Sequence, residues 1–168
     1  MSFGASRDNF EGSVVTLTET FDVAVELLSL AINKPRFDPE PLGRVKDQVI
    51  SSIRSSKEKP NNLVGRVWWK AAFGAHPYGF PKKGTEGSIG KITRADLQEM
   101  KKNLFAKDNL IIGVVGNISE SRLKSAIDKV FGKLSNNAKL KHIGNATFQN
   151  HGETIVVERK IPQSVVVF

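Results

Sequence analysis

Three histidines, His76, His142 and His151, and no cysteine make up the whole imidazole and thiol complement of this 168-residue chain. A helical zinc site needs two imidazoles four positions apart with a glutamate beside them to polarise the bound water, as in His-x-x-Glu-His or His-Glu-x-x-His. Neither pattern occurs here. His142, His151 and Glu153 are candidates for a converging metal site, but they lie across a glycine- and asparagine-rich stretch without ligand spacing. His76 opens the sequence His-Pro-Tyr-Gly. An imidazole before proline in a turn bonds the local backbone more often than a metal, so a structural role is expected for it.

Other groups invite chemistry and are weaker still. Glycines at 74, 79, 84, 87 and 90 suggest a phosphate loop, yet no Gly-Lys-Ser or Gly-Lys-Thr follows them. Lys82-Lys83 and Lys101-Lys102, with Phe80 and Phe105 nearby, suggest a nucleic-acid surface in which bases stack on aromatics while lysines neutralise phosphate. Aromatics beside apolar stripes are more often core, and no recognised DNA- or RNA-binding motif accompanies them. Trp68 falls on an apolar helical stripe and is expected in the core, with Trp69 partly exposed.

These residues sit on elements ordered β, then mostly α, then β-α-β. Ser2 to Arg7 and Phe10 to Leu17 read as a hairpin around the turn former Asp8-Asn9. Thr18 or Thr20 can cap a helix whose inner face is Phe21, Ala24, Val25, Leu28 and Ala31, with Lys34-Pro35 as the stop. After Asp38-Pro39, a second helix to about Lys59 carries Leu42, Val45, Val49, Ile50 and Ile53 on one side. Val64, Val67, Trp68, Ala71 and Ala72 mark a third helix ending near Gly74. Phe80 to Gly90 reads as a connecting loop.

Thr93 with Asp96 forms a capping box for a helix with Leu97, Met100 and Leu104 inward. The run Asn109 to Val115 is continuously apolar and predicts a strand buried on both faces. Asn117 with Glu120 is the expected cap of a helix whose Leu123, Ile127, Val130 and Phe131 face that strand. Strands are expected at Thr154 to Glu158 and Ser164 to Phe168. Together the elements predict an α+β fold, helices packed on a mainly antiparallel sheet.

The segments TLTETFDVAVELLSLAINKPRFDPE, FDPEPLGRVKDQVISSIRSSKEKPNN, HPYG, ITRADLQEM and DNLIIGVVGNIS follow one another in this chain. In this order they resemble the insulinase and mitochondrial-processing-peptidase family of zinc metallopeptidases, over nearly the whole chain. Each segment alone is a weak signal. The resemblance implies that the second helix is the one that carries, in active members, a glutamate completing the zinc site and another close to it. Those positions are Ser52 and Val45 here. They lie seven residues apart, about two turns, and so share a side of the helix, expected to be a buried stripe.

The resemblance further implies a domain layout. Residues 1–160 correspond to the latter part of one peptidase-type domain, and residues 161–168 to the start of a linker or strand leading to a second domain. The chain is accordingly expected to be truncated, and its exposed edges to favour a homo-oligomer. With both histidines and the carboxylates missing, no catalytic residue, metal ligand or cofactor is assigned to it. The implied role is a non-catalytic, substrate-holding half of a heteromeric peptidase whose zinc sits in a catalytic partner subunit. The alternatives are a fragment of an active zinc endopeptidase and a basic interaction module binding nucleic acid.

Composition is compatible with one folded domain: 39% hydrophobic residues, with 25 Lys and Arg against 17 Asp and Glu, a formal charge of +8. Such a balance attracts anionic partners or simply makes a solvated surface. No signal-peptide pattern is visible and no run approaches the ~18 consecutive apolar residues of a membrane span, so a membrane partner is not expected.

Overall fold

The computed structural model describes every residue except Asn150 and His151. It divides into two compact units, Met1–Asp38 with Thr93–His142, and Pro39–Ile92 with Ile143–Phe168.

In the first unit, strands β1 (Ser2–Ala5) and β2 (Phe10–Ser13) pair antiparallel in the register Ser2↔Ser13 to Ala5↔Phe10. Both are shorter than the sequence predicts. Ser6 to Asn9 are taken up by the turn, where the Asn9 N–H donates to Ser6 Oγ (2.9 Å) and the Ser6 N–H to the Asn9 carbonyl (2.8 Å). Beyond Ser13, β2 has no partner. Phe3 lies across from Gly12, and its ring occupies the space a side chain there would need, 3.0 Å from an added Cβ. Phe3 stacks on Phe10, which in turn meets Phe105 at 5.2 Å between ring centroids.

Helix α1 (Phe21–Asn33) packs on α6 (Glu120–Phe131). The expected inner face of α1 is half-buried, with Ile32 deepest, while Val23, Leu27 and Leu30 form an exposed apolar row. Asp22 pairs with Arg122 at one end, and Ser29 Oγ and Asn33 Nδ2 donate to the carbonyls of Lys129 (3.1 Å) and Val130 (2.8 Å) at the other. The two helices therefore run parallel. Val130, 2% exposed, is the centre of this contact. Thus the apolar face of α6 meets α1 instead of a strand, and its cap is Ser119, accepting from the Arg122 N–H, not Asn117.

Helix α5 (Arg94–Leu104) begins at the expected capping box: Asp96 accepts from the Thr93 N–H (2.7 Å) and Thr93 Oγ1 from the Asp96 N–H (3.2 Å). Leu97 and Leu104 turn inward, but Met100 is exposed. Lys101 Nζ donates to the Asn33 carbonyl at the end of α1 (2.7 Å).

The apolar run Asn109 to Val115 overturns an expectation. It forms no strand, and Ile111 and Val115 are fully exposed. An apolar sequence can supply the side chains of a buried strand, but its backbone still needs a neighbour to share hydrogen bonds with. The described residues offer only a single parallel bridge nearby, Ala106 to Ser135. In the second unit the expected strands at 154–158 and 164–168 are likewise irregular. The α+β class holds broadly: the described structure is mostly helical, with one two-stranded antiparallel sheet.

The second unit is built on α2 (Pro39–Glu58), against which α3 (Pro60–Phe73) and the short α4 (Glu86–Lys91) pack. Its core joins Ile53 and Ala72 to a ring cluster of Trp68, Trp69, Phe73, Tyr78 and Phe148. A 3-10 turn, Pro77–Gly79, folds back on the end of α3 so closely that any side chain at Gly79 would collide with the Gly74 carbonyl. Among the described residues no helix is long and apolar enough to cross a membrane.

Candidate functional site

The helix implied to carry the degenerate ligand positions is formed by local signals. Pro39 has its φ preset for a first turn, Glu40 suits the N-terminal dipole, and Lys57 suits the last turn. Its inward stripe is Leu42, Lys46, Val49, Ile50 and Ile53, of which Ile53 is buried and the others half-buried. At about 100° per residue, Val45 and Ser52 lie roughly 80–100° from the centre of that stripe. The geometry corrects the expectation of buried packing for Val45, which is 54% exposed, while Ser52 is half-buried at the edge of the stripe.

Ser52 is not an idle hydroxyl. Its Oγ accepts a hydrogen bond from Lys83 Nζ at 2.7 Å. Three further side chains of α2 fasten the segment that follows Lys83. Glu86 takes Arg54 Nε on one carboxylate oxygen (2.8 Å) and Lys57 Nζ on the other (2.6 Å). The hydrogen bonds from Lys57 and then Arg54 hold this carboxyl below its ordinary range. Lys46 extends its stem into the stripe and donates to the Gly90 and Ile92 carbonyls (2.7 and 2.9 Å), satisfying the C-terminal end of α4.

This segment was expected to be a connecting loop. It folds because Thr85 and Ser88 form a reciprocal capping box and because α2 supplies the cations that anchor Glu86. The sequence signal, Thr85-x-x-Ser88, uses serine where the commoner box has Glu or Gln, and two glycines in six residues obscure the helix. Lys83 as the partner of Ser52 had no local signal at all.

The donor set on this face does not suit zinc. A dication requires imidazole, thiolate or carboxylate groups, whereas Ser52 offers a hydroxyl already engaged with an ammonium and Val45 offers none. Among the described residues no three His, Asp or Glu side chains stand close enough to share a metal. His76 uses both ring nitrogens: Nδ1 accepts from the Tyr78 N–H (3.2 Å), and Nε2 faces the Gly144 carbonyl at 3.1 Å. That assigns the proton to Nε2 and makes His76 a turn-fixing residue, as its place before proline predicts. His142 is exposed, and His151 lies outside the described residues.

The aromatics of the nucleic-acid reading are engaged in other contacts. Phe80 lies under the Lys70 ammonium and Phe105 against Phe10. Both tryptophans are half-buried in the ring cluster.

Residues 91–168 match a family model described as the Peptidase M16 inactive domain. The uncharacterized zinc protease YmxG of Bacillus subtilis is 28% identical over 88% of this chain and 36% of its own length. A probable mitochondrial-processing peptidase subunit beta of Arabidopsis thaliana is 22% identical over 77% of the chain and 24% of its own. The chain spans between about a quarter and about a third of the length of the first curated relatives it matches. Among solved structures, the peptidase M16 inactive domain from Pseudomonas fluorescens superposes with a TM-score of 0.71, at 27% identity, over 77% of this chain and 32% of that one. A protease from Helicobacter pylori shares the fold, with a TM-score of 0.62 at 20% identity over 78% of this chain and 32% of that one. The chain is thus similar to M16 peptidases, the insulinase and processing-peptidase family that its ordered segments resemble.

Proposed function

We propose that this chain is a non-catalytic, substrate-holding part of a heteromeric peptidase, with zinc chemistry carried by a partner subunit of the same family. The observation that carries the proposal is Lys83 Nζ 2.7 Å from Ser52 Oγ. Where an active member's carboxylate would draw in a dication, this helix presents a hydroxyl bound to a cation, and two like charges at that range repel. The match to a domain described as inactive, and a relative named as one subunit of a processing peptidase, support the same reading. Within it, residues 1–160 are the latter part of one peptidase-type domain and 161–168 the beginning of a link to the next. A peptide is the substrate held, and the separate chain self-associates.

Elemental analysis of the purified chain after dialysis, with a peptide-cleavage assay on the same sample, tests the proposal. No tightly held zinc and no cleavage are expected. About one zinc per chain surviving dialysis, the signature of a complete ligand set, would overturn it in favour of a fragment of an active endopeptidase, a reading that relatives named zinc proteases would then support.

A further inference from the structure

The first unit contains a groove of about 650 Å³, within the size range of ligand sites. The last turns of α1, α5 and α6 all line it, and so do five lysines: Lys34, Lys101, Lys102, Lys129 and Lys133. Glu26 is the one carboxylate among its walls. Lysine near a helix C-terminus has an ordinary explanation, because it complements the dipole and bonds the last carbonyls. Lys101 does this, donating to the Asn33 carbonyl. The explanation is too small for the rest. Each helix end is equivalent to roughly half a negative charge, so three ends and Glu26 offset only about half of the five ammonium charges. The ammonium groups of Lys34, Lys102, Lys129 and Lys133 have no hydrogen-bond or ion-pair partner among the described residues.

Between the lysines, Leu30, Phe37 and Leu134 give the groove apolar patches of wall. Phe37 is held at φ +48°, a left-handed backbone that bulky residues rarely adopt. We propose that this groove binds an acidic peptide segment that also carries apolar side chains. Its carboxylates would meet the unpaired lysines, its apolar side chains the walls, and its N–H groups the terminal carbonyls of the helices. A nucleic acid fits less well. Of its two rings, Phe105 already lies 5.2 Å from Phe10, and the Glu26 carboxylate opposes a phosphate chain while accepting a peptide N–H. The proposal does not depend on the non-catalytic reading, which zinc content tests separately.

Fluorescence anisotropy of a labelled peptide alternating glutamate and leucine, titrated with the full chain, provides the test. Lys102 and Lys133 are exposed, so the double charge reversal Lys102→Glu with Lys133→Glu leaves the fold intact by circular dichroism. It should weaken binding about tenfold, the sum expected for two exposed charge contacts turned repulsive. Reversing Lys124 and Lys141, which do not line the groove, should leave affinity within about twofold of the parent. Equal losses in the two double variants would reduce the effect to net charge and overturn the proposal. So would absence of binding, or tighter binding of a single-stranded oligonucleotide or of inorganic polyphosphate than of the peptide.

Discussion

Lys83 Nζ lies 2.7 Å from the Ser52 hydroxyl, on the side of α2 that also carries Val45. A carboxylate at position 52 would therefore gain a counter-charge at a half-exposed site. Ser52→Glu is expected to leave stability unchanged or raise it by up to ~1 kcal/mol, the range for an exposed ion pair. It should not confer zinc binding, since one carboxylate is not a ligand set. Urea midpoints of Ser52→Glu in the parent and in a Lys83→Glu background measure this. The second background should turn the substitution destabilising, and a large loss in the parent would mean that position 52 is more buried than the geometry gives.

Glu86 yields a pH dependence. Hydrogen bonds from Lys57 and then Arg54 lower its pKa in the folded chain. The folded state thus holds this proton less tightly than the unfolded one, so the contribution is present above the unfolded value and is lost as pH falls through the folded value. The urea midpoint of the parent should exceed that of Glu86→Gln at neutral pH, and the gap should close below the ordinary glutamate range. A gap that persists into strong acid would assign the effect to packing of α4.

What the sequence disclosed and what it withheld divide along the range of the interactions. The Thr93 and Asp96 box, the stop at Gly74 and the turn role of His76 are local, set by residues within a few positions of one another. Val45 was misplaced because an i, i+3, i+4 pattern fixes a stripe's width poorly, and Lys46 fills the inner position with its stem. The run Asn109 to Val115 has the composition of a central strand, but composition cannot say what pairs with it. The Ser52 and Lys83 contact joins residues from different elements, and no periodicity encodes such a meeting.

The parallel contact of α1 with α6 rests on Val130, 2% exposed, and Ile32, 8% exposed. Val130→Ala removes two buried methyl groups and should cost about 1.5–3 kcal/mol from lost burial and the space left behind. Val23→Ala, on the exposed row of the same unit, should cost less than about 0.5 kcal/mol. Denaturant unfolding of the two variants distinguishes them. Similar costs would mean that Val23 is covered in solution.

The final expectation concerns association, and it follows from that unpaired apolar run. Ile111 is 97% exposed and Val115 fully so, and the stretch between them has no strand partner among the described residues. An apolar segment in this state offers both its side chains and its backbone groups to another chain. Sedimentation equilibrium over a wide concentration range should accordingly reveal dimers or larger species at high concentration. Ile111→Lys with Val115→Lys should shift the distribution toward the 18.5 kDa monomer, because a lysine pair opposite its own copy repels and resists burial. A parent chain that stays monomeric throughout would mean that these residues are covered within one molecule. Association that survives both substitutions would move the contact elsewhere, with the exposed row Val23, Leu27 and Leu30 the next surface to substitute.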